Sequence, residues 1–97
     1  MGKLSVTVRG DSMWPTLKDG DVVAANSYQG ETVLKGQIIV FPSPFDKKNI
    51  LIKRVKSVDD DQLFVEGDNP DPSASDDSHN FGSINISTVI AVLDWRA

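Results

Sequence analysis

Ile50-Leu51-Ile52-Lys53-Arg54-Val55-Lys56-Ser57-Val58 is the stretch on which the fold turns. Most of its positions are apolar or β-branched, and successive side chains on a strand point to opposite faces. Leu51, Lys53 and Val55 therefore share one face, while Ile52, Arg54 and Lys56 share the other. As a strand, 50–58 is the longest in the chain. It also sets a lysine between two apolar neighbours. Loss of hydration favours the neutral amine and lowers its pKa, and a neutral amine can take a proton from a hydroxyl. A lysine at such a place can also snorkel to solvent. The strand alone leaves both readings open.

Working outward, Asp59-Asp60-Asp61 reads as a turn and Gln62 to Glu66 as a hairpin partner. On the other side, Asp46 to Asn49 is a basic turn, and Pro42-Ser43-Pro44 stops a buried strand over Gln37 to Phe41. Leu4 to Arg9 alternates, with Leu4, Val6 and Val8 on one face, and Asp21 to Asn26 reads as a second strand. Ser27 to Lys35 is a loop or irregular hairpin. Val89 to Trp95 closes the chain as a last strand, after one short helical turn over Asn85 to Val89. Nothing sustains a 3.6-residue period. Many short strands between turn signals predict an all-β fold, a barrel-like or folded sheet, forming one small domain over residues 1–97. Gly67 to Gly82 is a loop, long for so small a chain, and loops of that length are usually functional or disordered.

The totals exclude several functions. Of 97 residues none is cysteine and one is histidine, so disulfides, a thiolate nucleophile and a Cys/His zinc site are excluded, and no metal or other cofactor is expected. A net charge of −4 argues against a nucleic-acid partner. The apolar runs Ile38 to Phe41 and Val89 to Leu93 are far shorter than a membrane span, and Met1 to Ser5 lacks the apolar core of a secretory signal. The expectation is a soluble, cytoplasmic protein with no membrane span. Charge is uneven: eight acids and no base lie between Asp59 and Asp77, and five bases lie between Lys47 and Lys56.

Two further stretches carry chemistry. Gly10-Asp11-Ser12-Met13-Trp14-Pro15-Thr16 holds a serine between a residue open to unusual backbone angles and a proline that restricts its neighbour. Restriction of that kind suits a nucleophile, although Gly, Asp, Ser and Pro also make ordinary solvated turns. Glu66-Gly67-Asp68-Asn69 and Ser75-Asp76-Asp77-Ser78-His79-Asn80-Phe81-Gly82 offer side chains that can cap loop backbone and brace a site.

Taken in order, these stretches resemble the boxes of type I signal peptidases. Gly10 to Leu17 with Gly20-Asp21 is similar to their Ser-Met-x-Pro-Thr-Leu…Gly-Asp box. Gly36 to Phe41 resembles their Gly-Asp-Ile-Val-Val-Phe strand, and Ile52-Lys53-Arg54-Val55 their lysine box. Gly67-Asp68-Asn69 and Ser75-x-Asp77-Ser78-x-x-x-Gly82 resemble the last box. The resemblance implies a mostly β serine endopeptidase with a Ser/Lys dyad: Ser12 as nucleophile, Lys53 as general base, and the Ser12 N–H in the oxyanion hole. Ser75 would orient the Lys53 ammonium, Asp77 would brace its loop, and Gly10 and Asp11 would support the serine turn.

Three positions depart from that pattern. Gly10 stands where some members carry a serine that donates to the oxyanion hole, Gln37 replaces an acid, and His79 replaces an arginine that pairs with the loop aspartate. The chain also resembles a short soluble branch, maturation proteases of nickel-containing superoxide dismutase. That likeness implies a protein partner, the dismutase precursor, whose N-terminal propeptide is removed. Self-cleaving repressor domains share the Ser/Lys chemistry but need a scissile segment before the serine, and only eleven residues precede Ser12. Three alternatives stay open: a Ser12–His79–Asp77 triad, a signal peptidase-like protease with another substrate, and a non-catalytic β module that binds peptides through Trp14 and the acidic loop.

Overall fold

Strand β4 (Ile50–Asp59) is the longest element of the computed structural model, which describes residues 2–71, 73 and 76–93. Around it stand β1 (Lys3–Thr7), β2 (Val22–Ser27), β3 (Ile38–Pro42), β5 (Gln62–Glu66), β6 (Ile84–Asn85) and β7 (Ala91–Leu93). A four-residue helix, α1 (Ser78–Phe81), precedes β6, and a 3-10 turn (Ile86–Thr88) follows it. Among the described residues the strands form one seven-stranded sheet in the order β1-β2-β7-β3-β4-β5-β6, and every pairing is antiparallel. The all-β expectation holds. No helix among the described residues is long and apolar enough to cross a membrane.

The sheet is built around β3, which is buried on both faces. Ile38 and Val40 belong to one apolar cluster with Val8, Met13, Leu17 and Ala25. Ile39 and Phe41 belong to the other, with Val55, Leu63, Val65 and Ile84. A strand covered on both sides reads as an unbroken apolar run rather than an alternating one, which is what Ile-Ile-Val-Phe is. Full burial of a side chain such as Phe41 contributes about 1.5–3 kcal/mol.

β4 meets its neighbours unevenly. β3 pairs along its first half, from Ile50 to Arg54, whereas β5 pairs only from Arg54 to Asp59. The register shifts between Val55 and Ser57, a bulge that leaves Lys56 as the extra residue and breaks the simple alternation at that point. Among the described residues, 50–53 thus keep one open backbone edge, and β1, paired with β2 alone, presents a second.

Several expected boundaries move. β1 ends at Thr7, although Val8 still bonds to the Gly20-Asp21 segment beyond it (Val8 N–H to Asp21 O, Gly20 N–H to Val8 O, both 2.8 Å). The face of β1 expected to be buried is so only at its end: Val8 is buried, Val6 half-buried and Leu4 exposed. Pro42 is the last residue of β3 rather than its stop, as a proline at a strand end can be. The closing strand starts at Ala91, because Val89 caps the 3-10 turn, and its expected end at Trp95 lies outside the described residues. The loop expected over Gly67 to Gly82 contains α1. There Asp77 accepts from the His79 N–H while Asn80 Oδ1 accepts from the Asp77 N–H, a reciprocal capping box that satisfies helix-end donors.

Candidate active site

β1 delivers the chain into the Ser12 turn, and β4 presents Lys53 opposite it. Gly10 sits at φ 81°, a conformation that a side chain disfavours, and its N–H donates to Asp19 Oδ1 at 2.7 Å. The turn then closes through Trp14 N–H to Asp11 O (3.1 Å) and Leu17 N–H to Met13 O (2.9 Å). Met13 and Leu17 drive into the core, while Trp14 is 46% exposed. The Trp14–Pro15 peptide is cis.

Lys53 Nζ lies 2.9 Å from Ser12 Oγ, across 41 residues of sequence. Lys53 is only 3% exposed, so it does not snorkel. Opposite it in register stands Ile39, itself fully buried. Burial pushes the Lys53 pKa below the ordinary lysine value, and the negative charges of Asp77 and Asp76 oppose that only partly. In the charged form the ammonium donates to Ser12 Oγ. In the neutral form the same contact lets the Ser12 hydroxyl donate to nitrogen. Among the described residues the Ser12 N–H has no acceptor, as an oxyanion-hole donor requires.

The Gly67-Asp68-Asn69 segment holds this geometry in place. Asn69 N–H donates to Ser12 O (3.0 Å), and Asn69 Nδ2 donates to Asp11 O (2.8 Å). Asp11 thus supports the turn through its carbonyl. Asp68 takes a two-pronged bond from Arg54, Nε to Oδ1 and Nη2 to Oδ2, both 2.8 Å, and a third from Thr16 Oγ1 at 2.6 Å. One carboxylate therefore links β4, beside Lys53, to the far end of the serine turn. Burial works to raise the Asp68 pKa, but the bonds from Arg54 and Thr16 and the Arg54 charge outweigh it, and the net position is below the usual carboxylate range.

Asp77 is buried at the start of α1. Its pKa also falls: burial raises it, and the bonds from His79 and the Gly67 N–H prevail. His79 Nδ1 meets Asp77 Oδ1 at 2.9 Å and the ring stacks edge-on against Phe64. His79 takes the arginine's pairing role, while the serine hydroxyl faces Lys53, so the triad arrangement does not form. Ser75 lies outside the described residues.

Asp68 and Asn69 brace the site as the Gly-Asp-Asn box suggests, but two of their partners, Thr16 and Arg54, escape a sequence reading. The partners that give the box its meaning come from distant elements.

Comparison with known proteins settles the relationship. The family described as "Signal peptidase, peptidase S26" matches residues 4–58, which include both Ser12 and Lys53. The chain belongs to the peptidase S26 family. Signal peptidase IB of Staphylococcus aureus, in strains Mu50, N315 and MW2, is 38% identical over 73 residues, covering 70% of this chain. The match covers 37% of those relatives' length. In this S26 chain the matched stretch brings the Ser12 turn and strand β4 into contact.

Beside the two side chains runs a cleft of about 650 Å³. One wall is the open edge of β1 and the residues after it, to Arg9; the other is residues 48–53. Met13 and Val40 line it between them.

Proposed function

We propose that this chain is a serine endopeptidase in which Ser12 is the nucleophile and Lys53 the general base. The observation that carries the reading is the 2.9 Å contact between Ser12 Oγ and a buried lysine nitrogen, which is within reach for direct proton transfer. Membership of the peptidase S26 family supports it. Ser12 attacks the scissile carbonyl as its proton passes to Lys53. The developing oxyanion meets the Ser12 N–H, which does without the donor that Gly10 lacks. Lys53 returns the proton to the leaving amine. Water, deprotonated by Lys53, then attacks the acyl-enzyme and releases the second product. The substrate lies extended between the open edges of β1 and β4, where its main chain finds donors and acceptors.

The proposed substrate is the N-terminal extension of a separate folded partner. The nickel superoxide dismutase precursor is the candidate to which the box resemblance points, and the cytoplasm is the proposed location. Incubation of the purified chain with that precursor, and mass spectrometry of the new N-terminus, tests the reading. Cleavage lost in Ser12→Ala and retained in EDTA is expected. An uncut precursor rejects this substrate. Cleavage that persists in Ser12→Ala rejects the mechanism.

A further inference from the structure

Resting on the peptidase reading, we propose that the cleft selects peptides bearing an acidic side chain about five residues from the scissile bond, read by Lys48. The chain carries 14 acids and 10 bases, yet the cleft is lined by Arg9, Lys48 and Lys53 and by no Asp or Glu. Lys53 is buried against Ser12. Arg9 and Lys48 are exposed, and among the described residues neither has a carboxylate at ion-pair distance. Arg54 and Lys56, on the same stretch of chain, are paired with Asp68 and Glu66. The Asp46 carboxylate accepts the backbone N–H of Lys48, its carbonyl accepts that of Asn49, and it does not line the cleft. Lys47 faces a separate cavity, with Pro42, Ser83 and Thr88. Arg9 and Lys48 thus place unpaired positive charge along the groove where the peptide lies, while Lys18, Lys35 and Lys47, which have no carboxylate partner among the described residues either, lie outside it.

The topology sets their spacing. Four successive antiparallel pairings connect β1 to β4 through β2, β7 and β3, so β1 and β4 run in the same direction. Arg9 therefore stands at the serine end of the cleft and Lys48 at the far end. Ile50 to Lys53 spans three steps of extended strand, about 10 Å at roughly 3.3 Å per residue, and Lys48 lies two residues further back, in the turn closed by Asn49 N–H to Asp46 O. A peptide whose scissile bond sits at Ser12 therefore brings its residues beyond the third, about the fifth, within reach of the Lys48 side chain. An acid there meets an unsatisfied cation, and a base there meets repulsion from it.

The test uses six fluorescent peptides of otherwise identical small-residue sequence, with Glu, Gln or Lys five positions before or after the central bond. Binding to Ser12→Ala is measured by anisotropy, so charge selection is read without turnover. For one of the two placements, the Glu peptide should bind about three- to tenfold tighter than the Lys peptide at low salt, with a smaller ratio at high salt. Adding Lys48→Glu should invert the order, whereas Lys35→Glu, outside the cleft, should leave it unchanged. Equal binding of the three charges, no binding of any, or a preference that survives Lys48→Glu overturns the proposal. Cleavage of the same peptides by the chain with Ser12 intact reads the peptidase separately. Ser12-dependent cleavage blind to charge rejects acidic selection alone. Charge-selective binding without cleavage rejects the peptidase and leaves an acidic-peptide cleft.

Discussion

Asp68→Ala should loosen the serine turn and lower stability together. The substitution removes three bonds at once: two from Arg54 at 2.8 Å and one from Thr16 at 2.6 Å. A hydrogen bond to a charged group contributes roughly 1.5–3 kcal/mol and a neutral one about 1. The full sum is not expected, because the Arg54 side chain is 28% exposed against 14% for Asp68, so water replaces part of what is lost. Arg54 also keeps its bond to Gly36 O. A cost of about 2 kcal/mol follows, which for a domain of this size lowers Tm by about 8–16 °C. Because the Asp68 pKa is depressed in the folded chain, its contribution is present above the ordinary carboxylate pKa and disappears as pH falls below about 4. Thermal unfolding followed by circular dichroism at pH 7 and pH 3, with Arg54→Ala and the double variant completing a cycle, measures the cost and the coupling. Turnover should fall as well, since Thr16 ends the turn that positions Ser12, and small misplacements of a reacting atom are costly. A Tm within about 2 °C of the parent, or the same loss from Asp68→Ala in the Arg54→Ala background, would refute the linkage of β4 to the turn.

Lys53→Arg should lower kcat by about 10²–10⁴-fold, because guanidinium stays charged and cannot serve as a base; normal turnover in that variant ends the dyad reading. Activity should rise with pH as Lys53 loses its proton, with a midpoint below the ordinary lysine value because of burial, and a flat kcat/KM profile would contradict it. Lys53→Met should be inactive yet at least as stable at pH 7, since the folded chain disfavours the charged amine; a lower Tm for that variant argues that Lys53 is held as a charge. His79→Ala should cost only about 0.5 kcal/mol, its side chain being 60% exposed and exposed pairs weak, with turnover largely kept; complete loss of turnover in a folded variant revives the histidine.

Gln62 to Glu66 was placed to the residue, and β4 to within one, because alternation, β-branched side chains and Gly, Pro and Asp breakers act over a few neighbouring positions. Ser12 and Lys53 stood out for the same local reason: one sits among turn residues, the other breaks an apolar face. The capping box from Asp77 to Asn80 is equally local, since its donors and acceptors lie within three residues of one another. Strand order was not legible in this way. β7 lies between β2 and β3, and insertion of the last strand into the middle of the sheet depends on which faces bury each other. Whether Lys53 snorkels or stays neutral and buried was undecidable along the strand, since hydration is set by Ile39 and the second apolar cluster. The roles of Thr16, Arg54 and Asp68 also waited on the fold. A carboxylate is held by whichever donors packing brings within 3 Å, and here they come from 52 and 14 residues away.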